Sequence, residues 1–127
     1  EVRLPLIVFL LHYLKTRMAG SRLPIYLIAD DSLANKDKGT RHIEPVDWFF
    51  DHKTKRPVRA SNHVSLGIMG GEFYFPLGEH LYLRRSTVRR LNRKRRGSDC
   101  LVYRSKLALL GDLFRTVAPH LPEGVPV

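Results

Sequence analysis

Cysteine is almost missing from this chain: Cys100 is the only one in 127 residues. A single thiol excludes an intrachain disulfide framework, and a reducing, cytoplasmic setting is the default expectation. Acids are also scarce, with 12 Asp and Glu against 22 Lys and Arg, a formal net charge of +10. That imbalance favours a polyanionic partner, whether DNA, RNA or an anionic membrane surface. Long hydrophobic runs are lacking. The longest, "LPLIVFLLHYL" (4–14), contains His12 and soon meets Lys15 and Arg17. A bilayer span needs about 20 apolar residues, and no A-x-A-like cleavage site follows to make the run a signal peptide. No internal repeat is evident. What is present is ordinary for a globular chain: 43% of residues are hydrophobic, too many for general disorder and enough for one domain with a moderate core.

The pattern of elements follows from periodicity and punctuation. Residues 5–18 read as a buried amphipathic helix closed by Gly20. "LPIYLIAD" (23–30) reads as a strand, apolar on both faces and therefore central in its sheet. "SLANKDKGTRH" (32–42) is a polar loop. "VDWFFDH" (46–52) and "VRASNHVSLGIM" (58–69) form two strands around the basic turn "KTKRP" (53–57). Gly70 and Gly71 break the second, and "EFYFPL" (72–77) supplies another. A charge block, 84–99, precedes a helix within 100–121, with Leu107, Leu110, Leu113, Phe114 and Val117 at helical spacing. "PEGVPV" (122–127) then starts an apolar run that does not finish, and the chain begins at Glu1 without an initiator methionine, so it reads as part of a longer protein.

The stretch "YLIADDSLANK" (26–36) poses the chemical question. A core strand runs into two adjacent carboxylates, Asp30 and Asp31, in a basic protein. Buried charge is costly unless paired or bound to metal. One reading is that the pair opens a turn, a common role for Asp. The other is that one carboxylate holds a hard divalent cation against phosphate oxygens. Neighbouring side chains on a strand point to opposite faces, so both acids cannot serve one site there.

Taken with the segments downstream, this stretch resembles the N-terminal half of the catalytic domain of DDE transposases from bacterial insertion sequences. The likeness is carried by Asp30-Asp31-Ser32 with Lys36, then by Val46, Trp48, Phe49, Asp51 and His52. It continues through Asn62-His63-Val64-Ser65-Leu66-Gly67 and through Phe73, Phe75, Pro76, Leu77, Leu81 and Tyr82. It covers about residues 23–83, and 104–127 more weakly. Ser32 stands where the family usually has Thr, and Ala60-Ser61-Asn62 replaces a Gly-containing turn. The resemblance implies an α/β fold, a ribonuclease-H-like mixed sheet with flanking helices, incomplete at the C-terminus. It divides the chain into a leading helix, 1–22, and part of a catalytic domain, 23–127, carrying a basic insert at 84–99.

The same resemblance implies Asp30 as the catalytic, metal-binding acid, with Asp31 as the fallback. The cofactor of the intact family enzyme is Mg²⁺ or Mn²⁺, and its reaction is DNA strand cleavage and transfer by two cations roughly 3.5–4 Å apart. The second and third acids of the family pattern lie beyond Val127. Such a fragment should hold metal weakly and be inactive by itself. DNA is the expected partner, not a membrane, and a homo-oligomer stays open for the intact protein.

Arg84, Arg85, Arg89, Arg90, Arg93, Lys94, Arg95 and Arg96 form the clearest surface signal, with no acid among them. They fit contact to DNA phosphates, which carries no sequence information; a solvated loop is the plainer alternative. The aromatics Trp48, Phe49, Phe50, Phe73, Tyr74 and Phe75 are dense enough to stack bases, but strand spacing favours core for them. His52 and His63 are expected to be structural histidines, and Asp51 to cap the turn or pair with Lys53. The alternative to a transposase fragment is a non-catalytic basic module that binds nucleic acid through 84–96, and a weaker one is association with a ribosome or a membrane surface.

Overall fold

The structure, a computed structural model, describes residues 3–20, 23–36 and 43–121. The unfinished apolar run at 122–127 and part of the expected 32–42 loop lie outside them. The element order is α1 (Arg3–Met18), β1 (Ile25–Asn35), β2 (Asp47–Asp51), β3 (Arg56–Gly70), β4 (Phe73–Tyr82), α2 (Arg85–Asn92) and α3 (Lys106–Val117). The fold is mixed α/β with an open four-stranded antiparallel sheet and flanking helices, where a mixed sheet was expected.

The sheet order is β1-β3-β2, and β4 also pairs with β3. β1 is therefore at an edge of the described sheet, not at its centre. The apolar-both-faces pattern misled because it is short: Ile25 is buried and Leu27 and Ile28 are half-buried, but everything from Ala29 to Ser32 is exposed. β3 takes the centre instead, with 15 residues and near-continuous burial from Ala60 to Gly70. β1 also runs on through both aspartates to Asn35, so Asp31 does not open a loop.

The chain divides into two compact units. Among the described residues, one takes the stretch up to Asp30, Ser65–Glu79 and the chain from Leu110 on; the other takes Asp31–Val64 and His80–Leu109.

The first unit holds the larger apolar core. Ile7, Leu11, Leu14 and Met18 recur at three- and four-residue steps along α1 and meet Ile25, Leu66, Ile68, Leu77, Leu113 and Val117. The leading helix is thus part of this core. Gly20, at φ +78°, follows its last turn in the left-handed region that suits glycine. No helix among the described residues is long and apolar enough to cross a membrane. On α3, Leu113 and Val117 are buried, but Leu107 and Phe114, expected on the same face, are exposed.

In the second unit β2 and β3 form a hairpin in the register Asp47↔Ala60 to Asp51↔Arg56. Asp51 caps its turn as expected, accepting from the Lys53 backbone N–H at 2.9 Å and from the Thr54 hydroxyl at 2.7 Å.

Leu14 is fully buried and Phe9, on the same helix, is 62% exposed. Leu14→Ala should cost about 2–5 kcal/mol of unfolding free energy in a urea titration. Phe9→Ala should stay within about 0.5 kcal/mol. Equal losses would mean that the outer face of α1 is packed as well.

Candidate nucleic-acid interface and acidic strand

The basic segment is a built structure rather than a loose loop. Its first half is α2, with Thr87 and Val88 buried beneath it. Apolar residues are too few there for a hydrophobic period to stand out, which is why the charge block hid a helix. α2 has no acid in its first turn. Asp47 supplies that charge from β2: its carboxylate accepts from the Thr87 hydroxyl and, at 2.7 Å, from the Trp48 backbone N–H. A carboxylate near the first turn opposes the positive end of the helix dipole. Asn92 closes the other end, donating to the Leu101 carbonyl and accepting from the Leu101 N–H, both at 2.8 Å.

These anchors sort the eight basic residues. Arg84 lies over the Phe49 ring at 4.8 Å and Arg85 over Tyr103 at 4.6 Å. Arg90 donates to the Glu44 carbonyl at 3.3 Å, and Arg95 pairs with the Glu44 carboxylate at 3.1 Å. Arg89, Arg93, Lys94 and Arg96 are exposed. Between β3 and α2 lies an open cleft of about 740 Å³ lined by Glu44, Arg59, Arg90, Lys94 and Arg95, among others. Glu44 and Arg59 were not among the expected site residues. No short-range signal marks them, since they reach the cleft only through the hairpin.

The two aspartates have different surroundings. Asp30 is exposed, and its backbone carbonyl accepts from the Ser65 hydroxyl at 3.3 Å. Asp31 forms an ion pair with Lys106, at the start of α3, whose ammonium also lies 5.3 Å from the centre of the Tyr82 ring. The Lys106 contact holds the Asp31 carboxyl below its ordinary value; slight burial opposes this, while the Asn62 side chain and the charge of His52 assist. Asn62 is buried, and its Oδ1 has no hydrogen-bond partner among the described residues. Lys106 and Asn62 are neighbours of the fallback acid that sequence reading missed.

A hard cation needs a shell of oxygens. The Asp31 carboxylate oxygens, held by the Lys106 ammonium and assisted by the Asn62 side chain, offer a place for one weakly held ion at most. They do not fit a two-cation centre. Among the described residues, no three His, Cys, Asp or Glu side chains come together as a metal site.

The histidines have local roles. His63 Nε2 lies 2.9 Å from the Ser61 hydroxyl, and the His52 ring meets Phe50 edge-on at 5.2 Å. The aromatics divide. Phe49 is buried and Phe75 half-buried, but Trp48, Phe50, Phe73 and Tyr74 are exposed, so the expectation of core fails for most of them. No protein-family model, curated protein or solved structure matches the chain.

An aspartate whose folded pKa is lowered adds stability above its unfolded value, and loses it as pH falls through the folded value. Lys106→Met should therefore destabilise the chain near neutrality, and the gap to the parent should close below about pH 4, the ordinary Asp range. By NMR titration, Asp31 should move back up toward that range in the variant. An unmoved Asp31 would show that the ion pair does not govern its charge.

Proposed function

We propose that the chain is the N-terminal part of the catalytic domain of a DDE-type transposase, contributing one acid-bearing strand and a sequence-independent DNA contact surface. The observation that carries this reading is the exposed acid pair on an edge strand of a strongly basic chain, with Asp31 held ionised beside a lysine. Three further points support it. β1, β3 and β4 form an antiparallel set followed by helices, an α/β arrangement. β1 pairs with β3 alone among the described strands, leaving an edge where a further strand fits. The motif residues Asp51 and Gly67 have structural reasons to be there: Asp51 caps the hairpin turn, and the Tyr74 ring lies where a Gly67 side chain would stand.

In this reading the chain's own part is binding. Exposed cations at Arg89, Arg93, Lys94 and Arg96 meet backbone phosphates. Any Mg²⁺ or Mn²⁺ chemistry depends on acids supplied from elsewhere in the protein. A second reading, a non-catalytic basic nucleic-acid-binding module, is favoured by one observation: the basic segment is a helix anchored by Asp47 and Asn92 that presents its cations without any part of the acidic strand.

Two measurements test these readings. Duplex DNA should bind without sequence preference, with log affinity falling linearly against log salt at about −0.9 per phosphate neutralised. Replacing Arg93, Lys94, Arg95 and Arg96 by Ala should flatten that slope, and an unchanged slope would remove the segment from the interface.

The second measurement separates enzyme from module. In a longer protein that carries this chain with the missing acids, Asp30→Asn or Asp31→Asn should abolish Mg²⁺-dependent strand cleavage with DNA binding nearly intact. The resemblance points to Asp30, and the surroundings of Asp31 make it the competing candidate. Full cleavage by both variants would sink the transposase reading.

A further inference from the structure

The cleft between β3 and α2 carries more positive charge than its one acid balances. Arg59, Arg90, Lys94 and Arg95 line it together with Glu44, so four cations share a single carboxylate. A cleft with an excess of one sign of charge concentrates ions of the other. Glu44 stands in a turn closed by the Val46 N–H, which donates to the Ile43 carbonyl at 3.2 Å. Two arginines hold Glu44, each by a different group. Arg90 donates to its backbone carbonyl at 3.3 Å, a bond that does not use the side chain. Arg95 meets its carboxylate through one terminal nitrogen at 3.1 Å, and the other terminal nitrogen of Arg95 donates to the Asp99 carbonyl at 3.4 Å. The pair is thus a single-point contact, not the two-bond fork that makes arginine a strong binder of carboxylate and phosphate. The Arg95 and Glu44 side chains are 34% and 63% exposed, and exposed ion pairs are weak and screened by salt. The turn is held in place whether or not the carboxylate is.

We propose that this cleft takes a DNA phosphate, and that in the free protein the Glu44 carboxylate occupies the phosphate's place on Arg95. Glu44 is then an internal competitor that DNA displaces. A phosphodiester brings the same charge as the carboxylate and a set of oxygens suited to a guanidinium. It also arrives tied to neighbouring phosphates, which meet the exposed cations Arg89, Arg93, Lys94 and Arg96. Those contacts raise the effective concentration of phosphate at the cleft, whereas Glu44 competes with one carboxylate alone. Once displaced, that carboxylate goes to water, where an exposed acid is well solvated. An isolated anion lacks the linked contacts and leaves the pair closed. Glu44 therefore makes the cleft answer to a dense polyanion and not to single small anions. The inference rests on the reading of the basic segment as DNA-binding and adds a phosphate position and the acid that guards it.

NMR of the Glu44 side-chain carboxyl carbon reads the exchange on the unaltered chain. Its shift in Arg95→Ala marks the carboxylate released from Arg95, and duplex DNA added to the parent should move the signal toward that value. Inorganic phosphate at equal phosphate concentration should leave it in place. A signal that both move equally would assign the cleft to free phosphate, and a signal unmoved in DNA-saturated protein would mean that the pair stays closed. Either result overturns the proposal and leaves the DNA reading intact. Glu44→Gln keeps the backbone carbonyl that Arg90 holds and removes only the charge. It should tighten duplex binding by about two- to fivefold, the contribution of an exposed ion pair, and by more than the same change made in the Arg95→Ala background. Equal gains in the two backgrounds would be general charge repulsion, not competition for Arg95, and would sink the proposal. Failure of both the parent and Glu44→Gln to bind duplex DNA would overturn the DNA reading and this inference together.

Discussion

The pairing of β3 with all three other strands is the constraint on which the rest depends. A strand of 15 residues spans about 50 Å, enough to take the short β2 along one stretch and still serve β1 and β4. Its side chains then follow from register. Arg59 stands opposite Trp48 and reaches the cleft. Asn62 is buried near Asp31. Leu66 and Ile68 enter the apolar core. A slip of one residue would exchange the two faces and move every one of these positions together.

The second constraint is charge. Twelve acids must serve a chain with 22 lysines and arginines, and the structure uses several of them as anchors. Asp47 holds the first turn of α2, Glu44 pairs with Arg95, Asp31 pairs with Lys106, and Asp51 closes the hairpin turn. Aromatic rings take up further cations: Arg84 on Phe49, Arg85 on Tyr103, Lys106 near Tyr82. Each such contact is worth about 0.5–1 kcal/mol at an exposed site. Arg89, Arg93, Lys94 and Arg96, exposed on α2 and just beyond it, are the cations that these ring and carboxylate contacts do not use. The proposed DNA-contact surface is what remains once the other cations have been used to hold the segment in place.

This division lets one stretch join packing to an exposed array of charge. Thr87 and Val88 bury one side of α2 while Arg89 stays exposed on the same helix. Asn92 ties its end to Leu101. A flexible chain of like charges would repel itself and expand, whereas a pinned helix presents its charges in a fixed array.

The sequence by itself determined the local elements. The first helix with its glycine stop, the hairpin with its Asp51 cap, the double-glycine break before β4 and the last helix are all legible, because 3.6- and 2-residue periods and turn chemistry act over a few residues. The same local rules exposed the acid pair and the basic segment. Only tertiary structure decided which strand is central, because strand order depends on pairings between distant residues. It placed β1 at an edge and carried that strand past both aspartates. It brought Lys106 and Asn62, far away in the chain, to Asp31. It turned Trp48 and Phe50 outward, where core was expected, because the hairpin buries its Phe49 face and leaves the other to solvent.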